Sequence, residues 1–337
     1  MLNFDEERFV RIQAGAVDLA ASLDEAVSRA LDAGATNLVF AGAGGAGILM
    51  QPAAELLRER SSFPTFLGWP AEIVLTKPAY VGPGSLVVIP SLSGTTSESI
   101  AMLEHAHSAG ATVLALVGHD ATPLADGADS TFVNEAADDT SCESFYLQSL
   151  LIALSVMRHR GEIDDYDAVV AQLRTLPASL LEVKRSFEPR AKELAAEIQD
   201  EGYHIVTGSG PVWPQAFYYG MCILEEMQWI RTRPVHASDF FHGTLELVED
   251  GVSVLLLKGE DATRPVAERV ERFVPDHTSK LRVLDAADAE LPGVSPRVRA
   301  LVSQVVLATV LERLSAHLEV LRDHPLTTRR YYRRISY

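Results

Sequence analysis

The apolar positions of this chain follow two rhythms. From Phe4 to about Ala33 they recur every three or four residues (Phe9, Ile12, Ala16, Leu19, Leu23), the spacing of an amphipathic helix. Then come short unbroken apolar runs: NLVFA at 37–41, LVVI at 86–89 and TVLALV at 112–117. Runs without polar alternation predict strands buried on both faces. Between them the spacing predicts helices over about 48–60 and 97–109, with a further strand near Phe66–Leu67. Strands alternating with helices give a parallel sheet covered by helices on both sides.

The pattern then recurs. Tyr203–Val206 runs into TGSGP, a helix follows to about Trp229, and Val252–Leu257 reads as the next strand. A helix over Arg264–Phe273 leads to a strand at Leu281–Leu284. FAGAG at 40–44 overlays VTGSG at 206–210 with an offset of 166, and 87–90 overlays 254–257 with an offset of 167. Two landmarks sharing an offset near half the length imply a tandem duplication of one α/β unit. Long helices are expected at Cys142–Arg160 and Ser179–Asp200, with a hinge near Gly161–Asp165. The expected domains are therefore 1–160 and 161–337, the second ending in the basic stretch RRYYRRISY.

Composition narrows the function classes. With 337 residues, 47% hydrophobic and 22% charged, the chain has the make-up of a folded globular protein, long enough for two cores. Its 46 acidic against 29 basic residues give a net charge of −17, which repels polyanions. Nucleic acid and anionic membrane are thus excluded as expected partners. Only Cys142 and Cys222 are present, without a CxxC, as suits a reducing compartment. The sequence shows no unbroken apolar run of about 18 residues, and MLNFDEERFV is acidic where a signal peptide is basic. The expected location is the cytoplasm.

Three segments carry candidate chemistry. Ser91-Leu-Ser-Gly-Thr-Thr-Ser-Glu98 follows a buried strand and opens a helix, where unpaired N–H groups and the macrodipole favour an anion. The hydroxyls of Ser91, Ser93 and Thr96 converge there, and Gly94 permits close approach, making a phosphate cradle without the lysine of a Walker loop. The plain alternative is a hydroxyl-rich N-cap. Gly42–Gly47 satisfies GxGxxG formally. The acidic residue expected about 20 positions on would have to be Glu59, within a helix, so nicotinamide dinucleotide is not the expected ligand. Glu226, late in a helix beside Met227 and Trp229, has surroundings that should ease its protonation, as suits a proton shuttle. His242 lies in a Phe-Phe-His-Gly turn able to present its ring to a cleft. Read singly, a solvated carboxylate and a satisfied turn histidine are the favoured explanations of these two. No His/Cys/carboxylate set has metal-ligand spacing, since His105 and His107 diverge on their helix.

Together, the SxSGxT turn, the doubled α/β unit and HGTLE after an upstream glutamate resemble the sugar isomerase (SIS) family of phosphosugar-binding domains. TGSGP at 207–211, FFHGTLELVEDGV at 240–252 and DHPLTTRRYY at 323–332 are most similar to its fructoselysine-6-phosphate deglycase group. The resemblance implies two tandem SIS domains, each an α/β/α sandwich around a parallel sheet. It implies that Ser91, Ser93, Gly94 and Thr96 hold the phosphate of an open-chain sugar, with Gly45 and Arg330 as further substrate contacts. Glu226 would move a proton between C1 and C2, and His242, sixteen residues on, would assist ring opening. That histidine would come from a neighbouring subunit, so a homodimer with shared sites is implied.

Two departures from the family pattern matter. Ala46 stands where many relatives carry a hydroxyl, and Arg330 stands where glucosamine-6-phosphate synthase has its Schiff-base lysine, a role closed to a guanidinium. The implied reaction is hydrolysis of a fructosamine 6-phosphate to glucose 6-phosphate and an amine, without metal or redox cofactor. An aldose–ketose phosphosugar isomerase, a synthase-like isomerase and a non-catalytic sugar-phosphate sensor are the alternatives.

Overall fold

The computed structural model describes residues 1–335, which form two compact units. Compactness does not follow a single cut at 160. The N-terminal unit comprises 6–178 with 293–298; the C-terminal unit comprises 1–5, 179–292 and 299 onward.

The N-terminal unit is built on five parallel strands: β1 (Asn37–Ala41), β2 (Thr65–Gly68), β3 (Ser85–Ser91), β4 (Thr112–Val117) and β5 (Ser130–Val133). They lie in the order β2-β1-β3-β4-β5, with Leu38 opposite Thr65, Val39 opposite Val87 and Ile89 opposite Ala115. All seven residues of central β3 are buried, which is why its sequence shows no polar alternation. Met102, Leu103 and Ala106 of helix Ser97–Ser108 pack onto Val87, Ile89 and Val113 in one core. Each such large side chain contributes about 1.5–3 kcal/mol on burial. Helix Ser141–His159 is buried along nearly its whole length. Its polar residues are paired accordingly: Ser144 donates to Gln13 at 3.0 Å and Ser155 to Asp24 at 2.6 Å.

The C-terminal unit repeats the plan with four parallel strands: β6 (Tyr203–Gly208), β7 (Arg231–His236), β8 (Ser253–Lys258) and β9 (Leu281–Asp285). Their order, β7-β6-β8-β9, matches β2-β1-β3-β4, so the internal repeat seen in the sequence is a repeat of topology. Ile205, Val254 and Leu256 pack against Ala267, Val270 and Val274 beneath helix Arg264–Phe273. Buried charges in this unit are neutralised in place. Arg313, fully buried, donates from Nε to Glu188 at 2.7 Å and from Nη2 to the Leu2 carbonyl at 2.6 Å, and Lys184 meets Glu312 at 2.7 Å.

Several elements depart from the expected pattern for local reasons. The helix expected over Phe4–Ala33 is two, Glu6–Asp18 and Ala20–Asp32. The one expected over 48–60 divides into Gly44–Ile48 and Gln51–Arg60, because Pro52 lacks an N–H and belongs in a first turn. Helix Pro296–Leu321 is long and apolar enough to cross a membrane by length and composition, but 89% of its most apolar window is buried inside the protein. It is a core helix.

Candidate active site

In the N-terminal sheet β1 is followed by β2 on one side, whereas β3 begins the run on the other. The loops after β1 and β3 therefore flank the switch point, where open α/β sheets hold ligands. Gly42 and Gly47 touch there: a Cβ on Gly47 would lie 2.2 Å from the Gly42 carbonyl oxygen, and one on Gly42 would lie 2.7 Å from Pro90 of β3. These glycines have a steric reason without any nucleotide. Gly45 lies in the short helix Gly44–Ile48 of the same segment and is half-buried.

The turn after β3 is the more chemical of the two. Ser91 is buried and its hydroxyl lies 3.3 Å from that of Thr96. Thr96 occupies the N-cap position of helix 97–108, yet its side chain makes no cap bond. The hydroxyl that would ordinarily satisfy the first turn is thus directed across the loop, leaving that turn to an outside acceptor. Ser93 accepts from the Thr95 hydroxyl at 3.1 Å and from its N–H at 3.3 Å. Ser99, one turn into the helix, has a buried hydroxyl without a partner. Gly94 adopts φ +60°, and a Cβ there would stand 2.1 Å from the Thr122 hydroxyl. The structure therefore brings Ser91, Ser93, Gly94 and Thr96 into one turn, as the sequence indicated.

The matching crevice of the C-terminal unit is filled by its own side chains. Asp261 accepts from the Thr263 N–H at 2.8 Å, and the Thr263 hydroxyl donates to Ser209 at 3.2 Å. A carboxylate already stands near the start of helix 264–273, so this turn repels an anion that its counterpart would attract.

Glu226 is carried by an irregular helix. Trp213–Tyr218 is α-helical, then Tyr219–Glu225 widens to a π-helix, so that the N–H of Glu226 bonds to Met221, five residues back, at 3.1 Å. The chain leaves it through Trp229 at φ +56°, a left-handed conformation costly for an aromatic residue. Glu226 lines a cavity of about 870 Å³ with Trp229, Arg329 and Arg330 among its walls. Arg329 donates from Nε to Glu226 Oε1 at 2.8 Å and from Nη1 to the Leu326 carbonyl at 2.6 Å. Arg330 stands over Trp229, its guanidinium carbon 3.9 Å from the ring centroid. The C-terminal segment is held there by Gln228, fully buried, which donates to the His324 carbonyl at 2.7 Å. Glu226 is not the enclosed carboxylate expected from its neighbours: its side chain is 34% exposed and paired with a cation.

His242 lies elsewhere in the same unit. It ends the turn Asp239–His242, is exposed, and lines a second cavity of about 700 Å³ with Trp213, Arg233 and His236. The two cavities share no lining residue. Within one chain, Glu226 and His242 therefore face different spaces. His236 is held below its ordinary pKa by burial, and its Nδ1 accepts from the Ser238 N–H at 3.1 Å, which fixes a neutral ring with its proton on Nε2.

Sequence reasoning took Trp229 only as a neighbour of Glu226 and Arg329 only as part of the basic tail, and it missed Arg233 and His236. The last two sit on β7, an edge strand whose alternating residues and central proline carry no buried-strand signal.

Comparison with known proteins places this geometry. The SIS domain model matches residues 33–158, the segment from the approach to β1 into helix 141–159. This segment is a SIS domain. The second sheet repeats its strand order, so the chain is two SIS-type α/β units in tandem. The fructosamine deglycase FrlB of Bacillus subtilis is 29% identical over 303 residues, covering 89% of this chain and 92% of its own. The fructoselysine 6-phosphate deglycase of Escherichia coli is 27% identical over 240 residues, 71% of this chain and 68% of its own. A solved candidate phosphosugar isomerase from Bacillus subtilis superposes with a TM-score of 0.87 at 27% identity, over 96% of this chain and 99% of that one. Within the SIS segment, the turn at 91–96 and the glycine loop at 42–47 are the two features placed at the switch point.

Proposed function

We propose that this protein is a deglycase that hydrolyses a 6-phosphorylated fructosamine to glucose 6-phosphate and a free amine. The observation that carries the reading is the near end-to-end similarity to a fructosamine deglycase, in a chain whose Glu226 lines an arginine-rich cavity. In this reading the turn formed by Ser91, Ser93, Gly94 and Thr96 holds the phosphate, with Gly45 in the adjoining loop. Glu226 takes the C1 proton of the open-chain substrate; the C1–H electron pair forms C1=C2, and the carbonyl oxygen gains a proton. The enaminol then accepts a proton at C2 as the nitrogen lone pair closes C1=N. Water adds to C1, and the amine leaves with the proton that the water supplies. The C2 carbonyl accepts the electron pair in the first step and the nitrogen lone pair supplies it in the second, so the sequence of steps calls for no metal or redox cofactor. His242 assists ring opening.

The separate cavities of Glu226 and His242 support a homodimer in which one copy supplies the carboxylate and the other the imidazole. The sparse cysteine content, Cys142 and Cys222 with no CxxC, supports a cytoplasmic setting, which fractionation of the native cells tests. The catalytic reading is tested by following glucose 6-phosphate release from phosphorylated fructosamines. Glu226→Gln should abolish turnover, by about a thousandfold or more, while substrate binding persists. Near-normal turnover would overturn the assignment.

A further inference from the structure

Glu226 owes its direction to the irregular turn before it. An α-helix advances about 100° per residue, so one extra residue in a turn swings every later side chain by about that angle. The π-helix Tyr219–Glu225 places such a turn immediately before Glu226. Turns of this kind are rare, so something outside the helix must favour this one.

The surroundings single out Thr232 of β7. Its hydroxyl donates to Glu225 Oε1 at 2.6 Å. Its N–H, on an edge strand with no neighbouring strand on that side, donates to the same oxygen at 3.3 Å. The hydroxyl also lies against Gly220: a Cβ there would stand 3.0 Å from Thr232 Oγ1 and 2.7 Å from Pro234 Cγ. Gly220 and Glu225 are five residues apart. In an α-helix residues at that spacing point about 140° away from one another, whereas a π turn bonds i to i+5 and brings them to one face. Thr232 meets both because the helix is wound in the π register. The start of the segment is fixed separately, since buried Tyr219 accepts from the Ser315 hydroxyl at 3.4 Å.

Resting on Glu226 as the base of the proposed reaction, we propose that Thr232 is a positioning residue, the peg around which the widened turn closes and which thereby sets where Glu226 points. Glu226 is then held from two sides, through the helix by this peg and directly by Arg329 at 2.8 Å. The two adjacent carboxylates have separate duties: Glu225 fastens the helix to β7, and Glu226 is left for the substrate.

The test uses the full-length protein and a phosphorylated fructosamine. Thr232→Val keeps the shape and removes the hydroxyl; Thr232→Ser keeps the hydroxyl. Thr232→Val should lower kcat by about tenfold and change KM by less than about threefold, because losing one hydrogen bond to a charged acceptor spoils aim rather than binding. Thr232→Ser should restore kcat to within about threefold of wild type. Amide hydrogen exchange over 219–226, read by mass spectrometry, should quicken by about tenfold in Thr232→Val and stay unchanged elsewhere in the chain. Unchanged kcat in Thr232→Val, a loss that falls on KM, or a Thr232→Ser as slow as Thr232→Val overturns the proposal and leaves the deglycase reading intact. Unchanged exchange over 219–226 overturns it whatever the activity. A wild type that hydrolyses no fructosamine 6-phosphate overturns the deglycase reading, and the exchange result alone then decides whether Thr232 holds the turn.

Discussion

Arg329 donates from Nε to Glu226 Oε1 across 2.8 Å, joining the C-terminal segment to a helix 103 residues earlier in the chain. The same guanidinium is tied to the Leu326 and Thr328 carbonyls, so it holds the carboxylate against a fixed frame. Arg329 is thus a positioning residue for the proposed base. Arg329→Gln should lower kcat by about ten- to a hundredfold with a smaller change in KM, because aim affects the transition state more than binding. Steady-state kinetics checks this, and a KM effect exceeding the kcat effect would contradict it.

The turn proposed to hold the phosphate makes a different prediction. Ser93→Ala should raise KM by about tenfold and change kcat little, since the phosphate is held in ground and transition states alike. Gly94→Ala should be worse, because a Cβ there meets Thr122 at 2.1 Å and the φ of +60° disfavours any side chain. Adding Thr122→Gly removes the contact but not the backbone strain, so the double variant should regain only part of the lost stability in thermal melts.

Shared sites between two copies would show in subunit mixing. Glu226→Gln and His242→Asn chains should each be inactive alone. Refolded together at equal amounts they should recover about a quarter of wild-type activity, because half of the dimers are hybrids with one intact site. No recovery, with hybrids demonstrated by native mass spectrometry, would place both groups on one chain.

Acid stability should depend on Glu188. Burial raises its pKa, but hydrogen bonds from Arg313 and the Leu2 N–H, with the charges of Arg313 and His317, outweigh this and bring it down to about 2. The folded pKa lies below the unfolded one, so the stabilisation is complete above about pH 4.5 and is lost as pH falls towards 2. Its size is at most about 3 kcal/mol. His204 acts at higher pH: burial lowers it to about 4, so its contribution is lost between about pH 6.5 and 4 as the unfolded chain takes up protons. Urea midpoints measured from pH 7 to 3 should show both declines. Glu188→Gln should remove the lower one and destabilise the protein at pH 7, because it takes away the closer of the two carboxylates on buried Arg313 and leaves only Glu312 at 3.3 Å.

Burial and periodicity made the fold legible. β1, β3, β4, β6 and β8 are largely apolar runs because both faces of each are covered, and the repeat offset shows that one unit occurs twice. β5, β7 and the helix at Pro70–Thr76 escaped notice: short or half-exposed elements need few apolar residues, and β7 carries Pro234. The shape of the turn at 91–96 was readable for a related reason. Ser91, Ser93, Gly94 and Thr96 lie within six consecutive positions, so strand end, glycine and helix start determine its shape locally.

The surroundings of Glu226 were not readable in this way. The sequence by itself determined which carboxylate, imidazole and hydroxyls stand in chemically suggestive order. Only the tertiary structure decided that Glu226 is paired with Arg329, that Arg330 lies on Trp229, and that His242 faces another cavity. Local rules act over a few residues, through turns, caps and helical spacing. The partner of a side chain 103 positions away is set by how the C-terminal segment packs, which depends on the accumulated contacts of the whole unit rather than on any pattern near either residue.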